Sequence, residues 1–322
     1  MERDDSKKIV DIIIPCFNES EVLDIYFTET KKIVSQIYGY KFNFIFIDDG
    51  SKDNTADILK QYAKENEFVR YISFSRNFGK ESAMYAGLKN SAGDYVLIMD
   101  ADMQNPPMLI EKMLKAVAEE EYDCCSANRT RKGDPALRTY FSKNFYRLTN
   151  KISEVDMPDG AGDFRMMNRQ MVNAIVAMSE VQRFSKGIFS WVGFKTKWVY
   201  FENIERAAGQ TKWNFWKLFT YALDGITAFS TFPLRIASFV GAIISACSFI
   251  YLIYIIIKTI ISGKDIPGYA STITLILFIG GIIILSCGIL GEYISKIYME
   301  VKNRPIYIIR ETNIDKPQDD YK

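Results

Sequence analysis

The chain has 322 residues, 48% of them hydrophobic and 25% charged, with a formal net charge of +1 and no histidine. That length suits one large domain or two ordinary ones, and near-neutrality offers no basic field for nucleic acid. Without histidine there is no Ser-His-Asp or Cys-His catalysis, no imidazole base and little scope for zinc, so carboxylates must carry any acid–base or metal work. The five cysteines form no C-x-x-C pair and are expected to be reduced, structural thiols. The first eight residues are too charged for a signal peptide, so the N-terminal domain is expected to stay cytoplasmic.

Residues 1 to about 128 alternate strand and helix patterns. Strands are expected at 10–14, 42–47, 69–74 and 95–99, with helices at 20–37, 54–66 and 80–90 between them. This is a doubly wound α/β pattern, in which ligands bind at the carboxyl ends of the strands. Each strand here ends in polar residues: Asn18-Glu19, Asp48-Asp49, Ser75-Arg76-Asn77 and Asp100-Ala101-Asp102. Four such ends point to one crevice. A dinucleotide fold would need G-x-G-x-x-G after the first strand, and Pro15-Cys16-Phe17-Asn18-Glu19 stands there instead. After the second strand, Asp48 and Asp49 can accept hydrogen bonds from a base or ribose, while Gly50-Ser51 reads as a turn and Asp53 or Asn54 as a helix cap.

Asp100-Ala101-Asp102-Met103-Gln104 is the most informative stretch. Two carboxylates one residue apart at a strand end can converge on a hard cation, Mg²⁺ or Mn²⁺, which takes oxygen ligands and shares them with substrate phosphates. A phosphate-bearing donor follows. The bland alternative is that these residues cap the helix that Pro106-Pro107 opens. Arg129, Arg131, Lys132, Arg165, Arg206 and Lys212 supply the cations that phosphates require, although such charges are often only solvated surface.

Residues 236–257 and 266–291 carry no charge. Each run exceeds the roughly 20 residues that cross a bilayer. A pair of buried helices is the alternative, but two adjacent runs with a short link read as a transmembrane hairpin. Lys212, Lys217 and Arg235 before it, and Lys296, Lys302, Arg304 and Arg310 after it, put both flanks in the cytoplasm by the positive-inside rule, with Lys258 and Lys264 in the link weakening the contrast. Trp216, Phe219, Leu223 and Ile226 recur at helical spacing just before the hairpin, as an interfacial helix would, or an ordinary core-facing one.

Six motifs then occur in order: Pro15-Cys-Phe-Asn-Glu19, Asp48-Asp-Gly-Ser51, Ser75-Arg-Asn-Phe-Gly-Lys80, Asp100-Ala-Asp-Met-Gln104 with Asn105-Pro-Pro, Gly162-Asp-Phe-Arg165, and Gly209-Gln-Thr-Lys-Trp213. Together they resemble an inverting family 2 glycosyltransferase of GT-A fold. Specifically, they resemble the polyisoprenyl-phosphate glycosyltransferases, a group that includes bactoprenol glucosyltransferases and dolichol-phosphate mannose synthases. The resemblance runs from about residue 9 to 310 and is closest to the bactoprenol group, which also carries two C-terminal spans. The family usually has Asp where this chain has Asn105, and often Asp at Asn168.

The resemblance implies a nucleotide-sugar donor, UDP-glucose before UDP-N-acetylglucosamine or GDP-mannose, and a polyprenyl phosphate acceptor. It implies that Pro15, Phe17, Glu19, Asp48 and Asp49 hold the nucleoside, with Lys80 on the donor. Asp100 and Ala101 would sit at the ribose and metal edge, and Asp102 and Gln104, with Asp100, would ligate Mg²⁺ or Mn²⁺. Asp163 would be the catalytic carboxylate, acting with Arg165, while Arg129, Arg131, Arg206 and Lys212 would bind phosphate and acceptor. Whether Asp163 is a base stays open: a phosphate monoester is largely dianionic at neutral pH, so Asp163 could instead orient Arg165 or the acceptor.

The expected organisation is a GT-A domain over 1–210, a juxtamembrane helix over 211–231, two spans within 232–297 (about 236–257 and 267–291) and a cytoplasmic tail over 298–322. The α/β crevice is expected to be complete before residue 210. A multi-pass protein of the inner (plasma) membrane, homo-oligomeric and without a nucleic-acid partner, is expected. A processive polysaccharide synthase would want a Q-x-x-R-W motif, which Gln182-Arg183-Phe184 does not supply, and more spans. A non-enzymatic nucleotide-sugar adaptor would not need its acidic positions.

Overall fold

A computed structural model describes residues 7–130, 150, 161–202, 227–262 and 268–318. Strands β1 (Lys8–Cys16), β2 (Tyr40–Asp48), β3 (Val69–Phe74) and β4 (Tyr95–Ile98) alternate with helices α1 (Leu23–Val34), α2 (Thr55–Glu65) and α3 (Lys80–Lys89). Helix α4 (Leu109–Ala118) follows, then β5 (Cys124–Arg129), β6 (Ala161–Asn168), α5 (Arg169–Ala177), α6 (Ser185–Trp191) and β7 (Thr196–Phe201). Two long helices, α7 (Phe232–Ser262) and α8 (Tyr269–Val301), lead to a last strand, β8 (Ile309–Thr312).

The eight strands among the described residues form one sheet in the order β7-β5-β6-β4-β1-β2-β3-β8. Strands β4, β1, β2 and β3 are parallel, so their carboxyl ends fall on one edge. β6 runs antiparallel to both β4 and β5, which makes the sheet mixed rather than wholly doubly wound. Side chains alternate across a strand, so each buried strand feeds two cores. Val10, Ile12 and Ile14 face Tyr26, Phe27, Leu59 and Met113 on one side. Ile13, Ile45 and Ile72 face Ala83, Met84, Val172 and Ile188 on the other. Asn168 caps α5 by accepting from the Met171 amide at 2.9 Å and donates to Asp123 at 2.9 Å. An amide can do both, a carboxylate only the first.

The C-terminal residues depart from expectation. Beyond α8 the chain is not a separate tail: β8 pairs antiparallel with the edge of β3. Tyr307 is buried, its ring stacked on Phe74 at 5.1 Å, and Ser75 donates to the Ile308 carbonyl at 3.0 Å. The α/β unit is therefore not complete before residue 210. No periodicity flags this, because a four-residue edge strand of mixed polarity takes its partner from the far end of the chain.

Helices α7 and α8 are long and apolar enough to cross a membrane, and their apolar stretches are not buried in the protein. They exceed the expected spans, because the helix continues past the uncharged runs. At 1.5 Å per residue α8 is about 50 Å long against a hydrocarbon core of about 30 Å. Its last turns work as a stalk. Tyr293 donates to the Ser230 carbonyl at 2.6 Å, and Glu300 accepts from the Val181 and Gln182 amides at 2.8 and 3.2 Å. Most of the expected interfacial helix, including Trp216, Phe219, Leu223 and Ile226, lies outside the described residues.

Candidate active site

The carboxyl ends of β1 to β4 converge as the sequence requires. Pro15, the penultimate residue of β1, lies opposite Ile47, and Phe17 and Glu19 follow the strand, all three half-buried. The Glu19 amide donates to Thr55 Oγ1 at 3.0 Å and the Asn18 amide to Ser51 Oγ at 2.9 Å, so the β1 and β2 ends are laced together. Gly50 has φ +65°, and a Cβ there would lie 2.4 Å from the Arg76 carbonyl carbon, so only glycine fits against that backbone.

Asp48 and Asp49 are both buried. Asp48 accepts from the Ser51 amide at 2.9 Å and from Ser73 Oγ at 2.7 Å. Asp49 accepts from the Phe78 amide at 2.6 Å and the Gly79 amide at 2.9 Å. Burial pushes the Asp49 carboxyl up to about 6 against the pull of those amides. In this arrangement the pair shapes the loops beside the crevice, and above all sets the turn that starts α3.

That turn delivers Lys80, around which the site is built. Its Nζ lies 2.7 Å from Asp100 Oδ1 and 2.7 Å from Asp163 Oδ2. A single ammonium thus joins the D-x-D motif of β4 to the carboxylate of β6. Desolvation works against the charged lysine, but the two carboxylates outweigh it and hold the ammonium above its ordinary range. Burial likewise raises the Asp163 carboxyl, yet Lys80, Lys186 and Arg165 overcome it and keep the group well below the usual carboxylate range.

Asp100, Asp102, Gln104, Asn105, Arg129 and Lys186 line a crevice of about 240 Å³, with Gly162 and Phe164 on its β6 side. Ala101 is buried behind the motif, and Met103 takes φ 60°, which turns the chain so that the Gln104 amide reaches Asp102 Oδ1 at 3.1 Å. Arg165 is buried and does not line the crevice. It donates to the Gly162 carbonyl at 2.9 Å and lies 3.6 Å over the Phe189 ring, so it braces the β6 turn from beneath. Arg131, Arg206 and Lys212 lie outside the described residues.

Two residues at the site escaped the sequence reading. Glu81 accepts from the Ser185 amide at 3.0 Å and from Ser185 Oγ, and burial pushes its carboxyl up to about 7. Lys186, the next residue on α6, lines the crevice and acts on Asp163. The signal for Glu81 was its place beside Lys80; Lys186 had none.

A hard cation fits this donor set. Among the described residues no three His, Cys, Asp or Glu side chains converge as a self-sufficient cage. Asp100 and Asp102 lie on one crevice wall, with Lys80 paired to Asp100, and two such carboxylates suit an ion that completes its shell with other oxygen ligands and water.

A mixed sheet with a D-x-D turn at its centre and a carboxylate facing it from the antiparallel strand defines a glycosyltransferase of GT-A fold. The chain belongs to glycosyl transferase family 2, whose family model matches residues 11–176, and residues 232–297 match the GtrB C-terminal hairpin. It is 45% identical to the protein CsbB of Bacillus subtilis (strain 168) over 95% of this chain and 92% of that one. The bactoprenol glucosyl transferase of Shigella phage SfII is 41% identical over 96% of this chain and 99% of its own. A prophage bactoprenol glucosyl transferase homolog of Escherichia coli (strain K12) is 43% identical over 94% and 98%. Among solved structures, mannosyl-3-phosphoglycerate synthase from Rubrobacter xylanophilus overlaps 70% of this chain and 74% of its own at TM-score 0.48 and 17% identity, a likeness too remote to bear on any residue.

Proposed function

We propose that this glycosyltransferase moves one glucose from UDP-glucose to a polyprenyl phosphate at the cytoplasmic face of the inner membrane, with inversion at the anomeric carbon. The observation that carries this reading is that the likeness to bactoprenol glucosyl transferases runs through the hairpin as well as the catalytic domain. A soluble acceptor would need no hairpin. Two apolar helices with a charged stalk on the domain bring the crevice to the bilayer, where a polyprenyl phosphate presents its head group.

In this reading the loops after β1 and β2, with Pro15, Phe17, Glu19, Asp48 and Asp49, shape the nucleoside end. Asp100, Asp102 and Gln104 would hold Mg²⁺ or Mn²⁺, whose charge would offset that of the diphosphate leaving group. Lys80, beside Asp100, meets the diphosphate, and Arg129 and Lys186 face the acceptor phosphate. Asp163 orients rather than deprotonates. The surrounding cations stabilise its charged form, so taking a proton from a phosphate whose second pKa is near 6 would run uphill, and the dianion attacks unaided. Arg129, Arg131, Arg206 and Lys212 belong to the same proposal as phosphate ligands.

The test is transfer of label from UDP-glucose, UDP-N-acetylglucosamine or GDP-mannose to undecaprenyl phosphate in membranes holding the protein, with product stereochemistry read by NMR. A glucosyl lipid of inverted configuration is expected. Polymer, a different sugar, or no lipid-linked label would overturn the reading.

A further inference from the structure

Helix α3 begins with two adjacent charges that leave it in different directions. Lys80 reaches Asp100 and Asp163, while Glu81 reaches across to Ser185 at the start of α6. Glu81 takes both the backbone amide and the hydroxyl of that residue, a doubled contact between segments 104 residues apart. The next residue, Lys186, lines the crevice beside Asp100 and Asp102 and contributes to holding Asp163 charged. Gly187 follows, with no room for a side chain: a Cβ there would meet the Phe229 ring at 2.2 Å, just ahead of α7. Two residues further on, Phe189 carries the Arg165 guanidinium on its face. Helix α6 is thus wedged between the crevice and the base of the hairpin, and Glu81 is the contact that ties its first turn to the Lys80 helix.

We propose that Glu81 is a positioning residue for glycosyl transfer, which fixes the first turn of α6 so that Lys186 stands opposite Asp163 at the phosphate-binding side of the crevice. Without this carboxylate the Ser185 amide and hydroxyl would lose their acceptor, and the first turn of a seven-residue helix would be held mainly by apolar packing. Burial beside Asp163 makes the charged form of Glu81 costly, which fits a group retained for its contact rather than for solubility.

The kinetic test is a double-mutant cycle on full-length protein in membranes, using the donor and acceptor proposed above, on which this part rests. Glu81→Ala and Lys186→Met are each expected to lower kcat/KM on the order of tenfold. Together they should do no more than the worse single change, because Glu81 acts through Lys186. Glu81→Gln, which keeps an acceptor for Ser185, should recover most of the loss. Losses that multiply in the double variant would overturn the proposal.

A second readout needs neither donor nor acceptor, and so separates failure of this inference from failure of the proposed reaction. Lysines are reductively ¹³C-methylated, and the Lys186 signal is assigned by its disappearance in Lys186→Arg. That signal should move in Glu81→Ala and in Ser185→Ala, and return in Glu81→Gln. A Lys186 signal indifferent to all three changes would overturn the proposal whatever the enzyme transfers.

Discussion

Asp163→Asn separates the two chemical roles open to the β6 carboxylate. The change keeps the side-chain outline and removes the charge. Lys80 then retains Asp100 at 2.7 Å and loses its charged partner on the other side, also at 2.7 Å. A hydrogen bond to a charged group contributes about 1.5–3 kcal/mol, and the lower part of that range applies here because the Lys80 side chain is 44% exposed. Weakened orientation of Lys186 adds to this. The expected loss in kcat/KM is on the order of 10- to 100-fold. Because the carboxylate of the unsubstituted protein is held ionised well below neutrality, the loss should be the same from about pH 5.5 to 8.5. The assay is a pH–rate profile of both proteins at saturating donor with polyprenyl phosphate. A loss that shrinks as pH rises past roughly 6 to 7, where the acceptor sheds its own second proton and the variant catches up with the unsubstituted protein, would refute the orienting role and restore a general base.

Three further outcomes are expected. Asp102→Ala should leave the fold intact and lower turnover on the order of a thousandfold or more, with weaker Mn²⁺ binding by electron paramagnetic resonance in the presence of UDP; unchanged Mn²⁺ binding would move the ligand elsewhere. Tyr307→Ala removes a buried ring stacked on Phe74, a loss of about 3–5 kcal/mol, so the melting temperature of the purified protein should fall by about 10 °C, and a shift under 2 °C would show that β8 does not belong to the catalytic unit. Glu81 binds its proton up to about pH 7 in the folded protein but only to about 4.5 when unfolded, so the folded state holds the extra proton between those values and stability falls as pH rises through that window, by up to about 3 kcal/mol. Glu81→Gln should flatten part of that fall in a melting series from pH 4.5 to 7.5, with Asp49 supplying a remainder that ends near pH 6.

The sequence determined the elements and the direction in which their ends point. Ile12 to Ile14, Phe44 to Ile47 and Val96 to Met99 can only be buried strands, and the polar residues after them, Asp100 and Asp102 above all, must then share an edge. It also determined the hairpin, since uncharged runs of that length have few other uses, while the ends of α7 and α8 lay beyond what charge alone marks. Tertiary structure decided what each carboxylate is for. Asp48 and Asp49 look as available as Asp100 in the sequence, yet backbone amides of neighbouring loops absorb them, and that is a matter of which donors happen to fall within 3 Å. Lys80 could have faced solvent; its place between Asp100 and Asp163 follows from β6 running antiparallel beside β4, a pairing between residues some 70 apart that no local pattern encodes. Glu81 on Ser185, Arg165 beneath the turn on Phe189, and β8 on the β3 edge are contacts of the same kind. Local periodicity reports which face of an element is apolar, whereas a polar side chain's role depends on the partner that chain topology sets against it.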